Sequence, residues 1–158
     1  TNSIKDEVFL GKTSGKIIKQ TQIPALIVPE GEVYKPIDSI LMAVKSAVIK
    51  KDNVLLPLKN IKNHFKADTN LLLVKTLNHK EEDFDVNADL QSLISNTIHS
   101  ENATTYQGVL EHYRTTKPDM LCVVRRKRGF FIKKWEKNVI LKKDFNSNIP
   151  VLVLSGLK

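Results

Sequence analysis

Five short runs of apolar residues constrain the fold of this 158-residue chain more than any other feature of its sequence. Each run is continuous instead of alternating with polar residues, and the runs lie at 25–28, 40–44, 71–74, 120–124 and 151–154. A strand that is apolar on both faces belongs in a parallel sheet with helices packed on each side. We therefore predict that these runs are strands of a largely parallel sheet.

Helical patterns separate several of the predicted strands. Apolar residues recur at helical spacing in three segments, at 55–65, 104–116 and 131–142. The second segment opens with a capping box, Thr104-x-x-Gln107, and ends before Pro118. The weakest strand signal, at 97–100, completes the alternation of strands and helices. The pattern predicts an α/β fold with a doubly wound, mostly parallel five-stranded sheet, and the run at 25–28 supplies an extra edge strand.

The chain contains a faint internal repeat. Residues 16–31 and 140–156 both lead from a basic, apolar helix end into Ile-Pro, then into four apolar residues, then into a polar turn with glycine. Because the two copies share the order of all these features, we interpret them as a duplicated unit.

The repeated residues resemble those of a known family. The stretches IPALIVPEG and PDMLCVV…IPVLVLSG look like the universal stress protein family in its tandem form. The resemblance implies the sheet of the adenine nucleotide alpha hydrolase-like fold. It also implies that residues 1–33 are the last helix and strand of a truncated first domain, and that 36–158 are a complete second domain.

The resemblance further implies how the edge strands pair. In this family the last strands meet antiparallel across a dimer or tandem interface. We therefore predict that 25–28 lies antiparallel to 151–154, either in an intramolecular pseudo-dimer or in a homo-oligomer.

The nucleotide site of the family is altered in this sequence. Its ATP-binding members carry an Asp at the end of the first strand and a Gly-x2-Gly-x9-Gly-Ser/Thr motif after the fourth. Lys45 stands at the Asp position, and Val124, Lys127 and Lys137 stand at the glycine positions. Side chains there obstruct the close approach of phosphate to backbone N–H groups. We therefore predict that ATP binding is lost and that no cofactor is bound.

A cluster of basic residues offers an alternative interpretation of the same region. The run Arg125, Arg126, Lys127 and Arg128 follows a strand, and open α/β sheets bind ligands beyond the carboxyl ends of their strands. Together with Lys45, the run could hold ATP, another nucleotide or another anion. A solvated basic loop is the competing interpretation.

The net charge of +8 invites a nucleic-acid hypothesis, but the basic residues are not clearly interleaved with stacking aromatics. The four histidines lack metal-site spacing, and the acidic stretch 83–89 lacks the glycine and glutamate of a calcium loop, so we interpret it as a mobile loop.

No nucleophile motif indicates an enzyme. The single Cys122 excludes an internal disulfide, and no apolar run is long enough to span a bilayer. We expect a cytoplasmic, non-catalytic domain acting in stress response or signalling through protein interaction.

Overall fold

The computed structural model describes residues 22–51, 53–125 and 149–156. In chain order, the elements of these residues are β1 (Ala25–Ile27), β2 (Ser39–Val44), α1 (Leu56–Phe65), β3 (Asp68–Lys75), a 3-10 helix (Glu81–Phe84), α2 (Ala88–Leu93), β4 (Asn96–Glu101), α3 (Thr105–Thr116), β5 (Met120–Arg125) and β6 (Val151–Ser155). The predicted helix at 131–142 lies outside the described residues.

The strands form one sheet in the order β1-β6-β5-β2-β3-β4. Five of them are parallel, from β6 across to β4, and β1 joins the sheet antiparallel to β6. Ala25 lies opposite Val153, and Ile27 lies opposite Val151. The prediction of a five-stranded parallel sheet with an extra antiparallel edge strand is therefore confirmed, and the pairing occurs within one chain.

The polarity of β4, the third parallel strand in chain order, explains why its sequence signal is weak. Its residues, Asn-Thr-Ile-His-Ser-Glu, are largely polar, and most of its side chains are exposed. Because β4 lies at the edge of the described sheet, only one neighbouring strand covers it. The predicted strand at 97–100 is confirmed in spite of this polarity.

The central strands are buried on both faces, as continuous apolar runs predict. Ile40 and Met42 of β2 pack into one hydrophobic cluster, while Leu41 and Ala43 pack into a second cluster on the opposite face. All four residues are at most 2% exposed. The sheet thus separates two cores, and the described helices cover them.

Local signals set the ends of the longer helices. Pro57 lies in the first turn of α1, where its missing N–H leaves no hydrogen bond unmade. The Thr104 side chain accepts a hydrogen bond from the Gln107 N–H at 3.2 Å and caps α3 as predicted. Lys66 and Lys117 end α1 and α3 in the left-handed conformation, with φ of 56° and 43°.

The interpretation of 83–89 as a mobile acidic loop is wrong in part. Asp83 and Phe84 complete the 3-10 helix, and Ala88 begins α2. The Asn87 side chain accepts a hydrogen bond from the Leu90 N–H at 2.9 Å, so it caps α2. Asn87 therefore acts as a helix cap, and its polarity is explained without a metal ion.

Candidate functional site

The order of the strands places a crevice at the middle of the sheet. From β2 the chain adds β3 and β4 on one side, then crosses to add β5 and β6 on the other side. The chain therefore leaves β2 toward β3 on one side of the sheet, and leaves β5 toward β6 on the opposite side. Open α/β sheets bind ligands at this switch point, beyond the carboxyl ends of the strands.

A crevice of about 560 Å³ lies at this switch point. Lys45 follows β2, Thr76 follows β3 and Gly156 follows β6, and all three line the crevice together with Val124 of β5. The other described lining residues are Ser46, Val48, Ile49, Lys50, Lys51, Val54, Asn78, Lys80, Glu82 and Asp83. Four lysines and two acidic residues thus border a volume typical of small-molecule sites.

Lys45 acts electrostatically on Asp83, and both residues line this crevice. Burial by itself raises the pKa of Asp83, but the hydrogen bonds from the Lys80 N–H and the Ser46 hydroxyl, with the charges of His79 and Lys45, outweigh it. The pKa of Asp83 consequently lies below its ordinary value. A carboxylate kept ionised in this way offsets part of the positive charge of Lys45.

Two hydrogen bonds, from Ala47 and from Asn87, join the Asp83 segment to the segment that follows β2, and a third, from Lys80, lies within the Asp83 segment. The Ala47 N–H donates to the Asp83 carbonyl at 2.6 Å, and the Lys80 N–H donates to the Asp83 carboxylate at 2.9 Å. The Asn87 side-chain amide donates to the Ile49 carbonyl at 2.8 Å. These contacts fix the wall of the crevice that carries Lys80 and Asp83.

The structure brings some of the predicted site residues to the crevice. Lys45 lines it as predicted, and so does Val124, which is 4% exposed. Arg125 ends β5, and its carbonyl accepts from the Gly156 N–H at 3.1 Å, but it is not among the described residues that line the crevice. Arg126, Lys127 and Arg128 lie outside the described residues.

Three further lysines at the crevice were not predicted from the sequence. Lys50 and Lys51 come from the segment after β2, and Lys80 comes from the segment after β3. A usable signal existed, because segments that follow neighbouring parallel strands meet at the same edge of a sheet. That signal does not say which loop side chains turn inward, so it does not single out these three.

The positive charge of the chain is unevenly placed. The described ranges contain as many acidic as basic side chains, so the net charge of +8 is carried by residues outside them. Within the described residues, the basic lining of the crevice is therefore a local feature, because the charges of these residues as a whole are balanced. A general attraction to polyanions does not follow from the described part of the chain.

The cysteine and the histidines of the described residues do not line the crevice. Cys122 is fully buried in β5, and burial raises the pKa of its thiol far above the ordinary value. Within residues 22–51, 53–125 and 149–156, no group of three or more His, Cys, Asp or Glu residues could hold a metal ion. His79 and His99 instead contact the Phe84 ring, one tilted and one edge-on, with ring centroids 4.2 Å and 5.6 Å from that of Phe84.

The described helices are too short or too polar to cross a membrane.

Comparison with known proteins identifies the fold. No protein-family model matches the sequence, and no curated protein sequence matches it. Among solved structures, a universal stress protein from Archaeoglobus fulgidus is similar, with a TM-score of 0.57 and 17% sequence identity. The match covers 98% of this chain and 57% of that chain, so this chain spans little more than half the length of its structural relative. The chain has the α/β fold of a universal stress protein.

Proposed function

We propose that this protein is a universal stress protein-like domain that acts in stress response or signalling through protein contacts, without catalysing a reaction. The proposal includes the loss of ATP binding and a cytoplasmic location. The observation that supports the loss of ATP binding is Lys45, which lines the switch-point crevice and acts electrostatically on Asp83. Lys45 stands where ATP-binding members of the resembled family carry Asp. An ammonium group only donates hydrogen bonds, so it cannot accept one from the adenine amino group as a carboxylate can.

Val124 supports the loss of ATP binding independently of Lys45. It stands at the first glycine position of the family motif, lines the crevice and is almost fully buried. Glycine allows phosphate oxygens to approach the backbone closely, whereas a β-branched side chain fills that space. A triphosphate therefore lacks one of the backbone contacts that hold it in the family.

The proposed protein contacts involve the edge of the sheet that ends in β1. Five large apolar residues in β1 and the segments before and after it are half exposed or more: Ile23, Leu26, Val28, Val33 and Tyr34. Concentrated exposed apolar surface marks interaction sites, and an open strand edge favours pairing with another strand. We propose that a second copy of the chain, or another protein, covers this edge.

Native mass spectrometry of gently purified protein tests both parts of the proposal. The expected spectrum shows ions of an oligomer and no adduct with the mass of ATP. A retained ATP adduct would contradict the loss of nucleotide binding. Monomer ions alone, at micromolar protein concentration, would contradict self-association. The β1 edge would then have to bind another protein instead of a second copy of the chain.

We propose a second candidate function, a nucleotide or anion sensor, on a separate observation. Four lysines line a crevice at the position where α/β sheets bind ligands, although the described surface is balanced in charge. The proposed site contains the four lysines of the crevice, Lys45, Lys50, Lys51 and Lys80. The run Arg125, Arg126, Lys127 and Arg128 stays a predicted part of it, although Arg125 is not among the described residues that line the crevice. Titration with inorganic phosphate in a thermal unfolding assay tests it, because a ligand that binds only the folded state raises the Tm. A Tm that changes with neither inorganic phosphate nor an organic phosphate, at constant ionic strength, would refute the sensor.

A further inference from the structure

The switch-point crevice combines two kinds of surface. Ile49, Val54 and Val124 line it, and these side chains are only 8%, 7% and 4% exposed. Lys50 and Lys51 also line it, but both are exposed. The inner surface of the crevice is therefore largely apolar, with Ser46 as its buried polar residue, and the mouth carries lysines together with the exposed Glu82.

The lysines at the mouth differ in how far their charge is offset. Lys45 acts on the ionised Asp83, as described above. Across the three described ranges, no acidic side chain lies within ion-pairing distance of Lys50 or Lys51. Lys80 has no such ion pair within these ranges either, but its own backbone N–H donates to the Asp83 carboxylate at 2.9 Å, which places negative charge beside it. Lys50 and Lys51 are therefore the described cations of the crevice most available to an incoming anion.

We infer that the crevice binds a small amphipathic anion, with a phosphate or carboxylate head and an apolar body. The inference rests on the proposed anion sensor and names the class of ligand for its site. The head lies between Lys50 and Lys51, and the body contacts Ile49, Val54 and Val124. An apolar body that lies against these side chains is itself removed from water, and this burial is favourable in proportion to its area, whereas a bare oxyanion gains nothing from it. The volume of about 560 Å³ accommodates such a body.

Calorimetric titration with a series of alkyl phosphates tests the inference. Butyl, hexyl and octyl phosphate, each used below its micelle-forming concentration, keep the head constant and lengthen the body. Complete burial of each added methylene raises affinity about fourfold, which corresponds to about 0.8 kcal/mol. We expect a rise of about twofold to fourfold per methylene, since a crevice open to solvent buries the chain incompletely.

Paired lysine variants test where the head lies. The double change Lys50→Gln and Lys51→Gln should weaken octyl phosphate about tenfold and reduce the sensitivity of its affinity to added salt. The matched control is Lys59→Gln with Lys66→Gln, which removes the same charge from exposed positions on and beside α1. The control should change the affinity less than twofold, and circular dichroism should show both variants folded.

Each other result overturns a defined part of the inference. Equal affinity for inorganic phosphate and octyl phosphate would preserve the anion sensor and refute the apolar body. Equal affinity for octyl phosphate and 1-octanol would refute the role of the lysines. If neither inorganic phosphate nor any alkyl phosphate binds, both the inference and the sensor are wrong. Equal losses in the two lysine pairs would show that the head does not lie at Lys50 and Lys51.

Discussion

Replacing Gly108 with alanine should destabilise the protein, although alanine is the better helix former. Gly108 lies in α3, and a Cβ atom placed on it would be 2.6 Å from a methyl group of Val74 and 3.2 Å from the other. Carbon atoms pack best at about 3.5–4.0 Å, so the added methyl group overlaps the first contact by about 1 Å. Val74 cannot easily move away, because it is fully buried in β3 and its β-branched side chain is stiff.

The magnitude follows from two opposing contributions. Overpacking a buried contact costs about 1–3 kcal/mol, and an overlap of this size belongs in the upper part of that range. Exchanging glycine for alanine within a helix contributes about 1 kcal/mol in the opposite direction. We expect Gly108→Ala to lower the free energy of unfolding by about 1–2 kcal/mol, which corresponds to a fall in Tm of several degrees for a chain of this length.

The matched control is the same substitution in a Val74→Ala background. Val74→Ala alone should cost about 2–3 kcal/mol because it leaves a cavity. The methyl group introduced by Gly108→Ala then enters the vacated space, so this substitution should stabilise the Val74→Ala background by about 1 kcal/mol. Urea unfolding followed by circular dichroism measures all four proteins. The same sign and size of effect in both backgrounds would refute the close packing of α3 on β3.

Three further predictions concern single side chains. Asp83→Asn should lower the free energy of unfolding by about 1 kcal/mol at neutral pH. Because the pKa of Asp83 is depressed in the folded protein, the ionised carboxylate stabilises the fold above pH 3.8, and this stabilisation is lost below it. The unfolding curves of the two proteins should therefore converge in acid. Thr104→Ala should cost about 1 kcal/mol in urea unfolding by removing the cap of α3, whereas Thr104→Ser should cost little. Cys122 should react with a thiol reagent only at the rate of unfolding, and rapid reaction in native buffer would contradict its burial.

The sheet could be predicted from the sequence because its interior strands carry their own signal. Strands such as β2 are buried on both faces and therefore read as unbroken apolar runs. The repeated Ile-Pro, together with the family resemblance, allowed the antiparallel pairing of β1 with β6 to be predicted. In contrast, α2 was missed, because it has only six residues and only Leu90 and Leu93 of these are buried. Two buried positions do not define a helical period.

The candidate site could be predicted only where a residue directly follows a strand. Lys45 comes immediately after Val44, so its place at the carboxyl edge followed from the position of β2. Lys51 and Lys80 lie in irregular segments instead. Their positions depend on contacts such as that of Asn87 with the Ile49 carbonyl, which join residues distant in sequence. Side-chain chemistry alone does not encode such contacts.

Calorimetric titration with ATP and Mg²⁺ tests the central claim, that this universal stress protein-like fold has lost the ATP site of the resembled family. Lys45 and Val124 both line the crevice where that nucleotide would bind. We predict a Kd weaker than about 100 μM, which corresponds to less than about 5.5 kcal/mol of binding free energy. Saturable binding in the low micromolar range, abolished by Lys45→Glu, would contradict the claim.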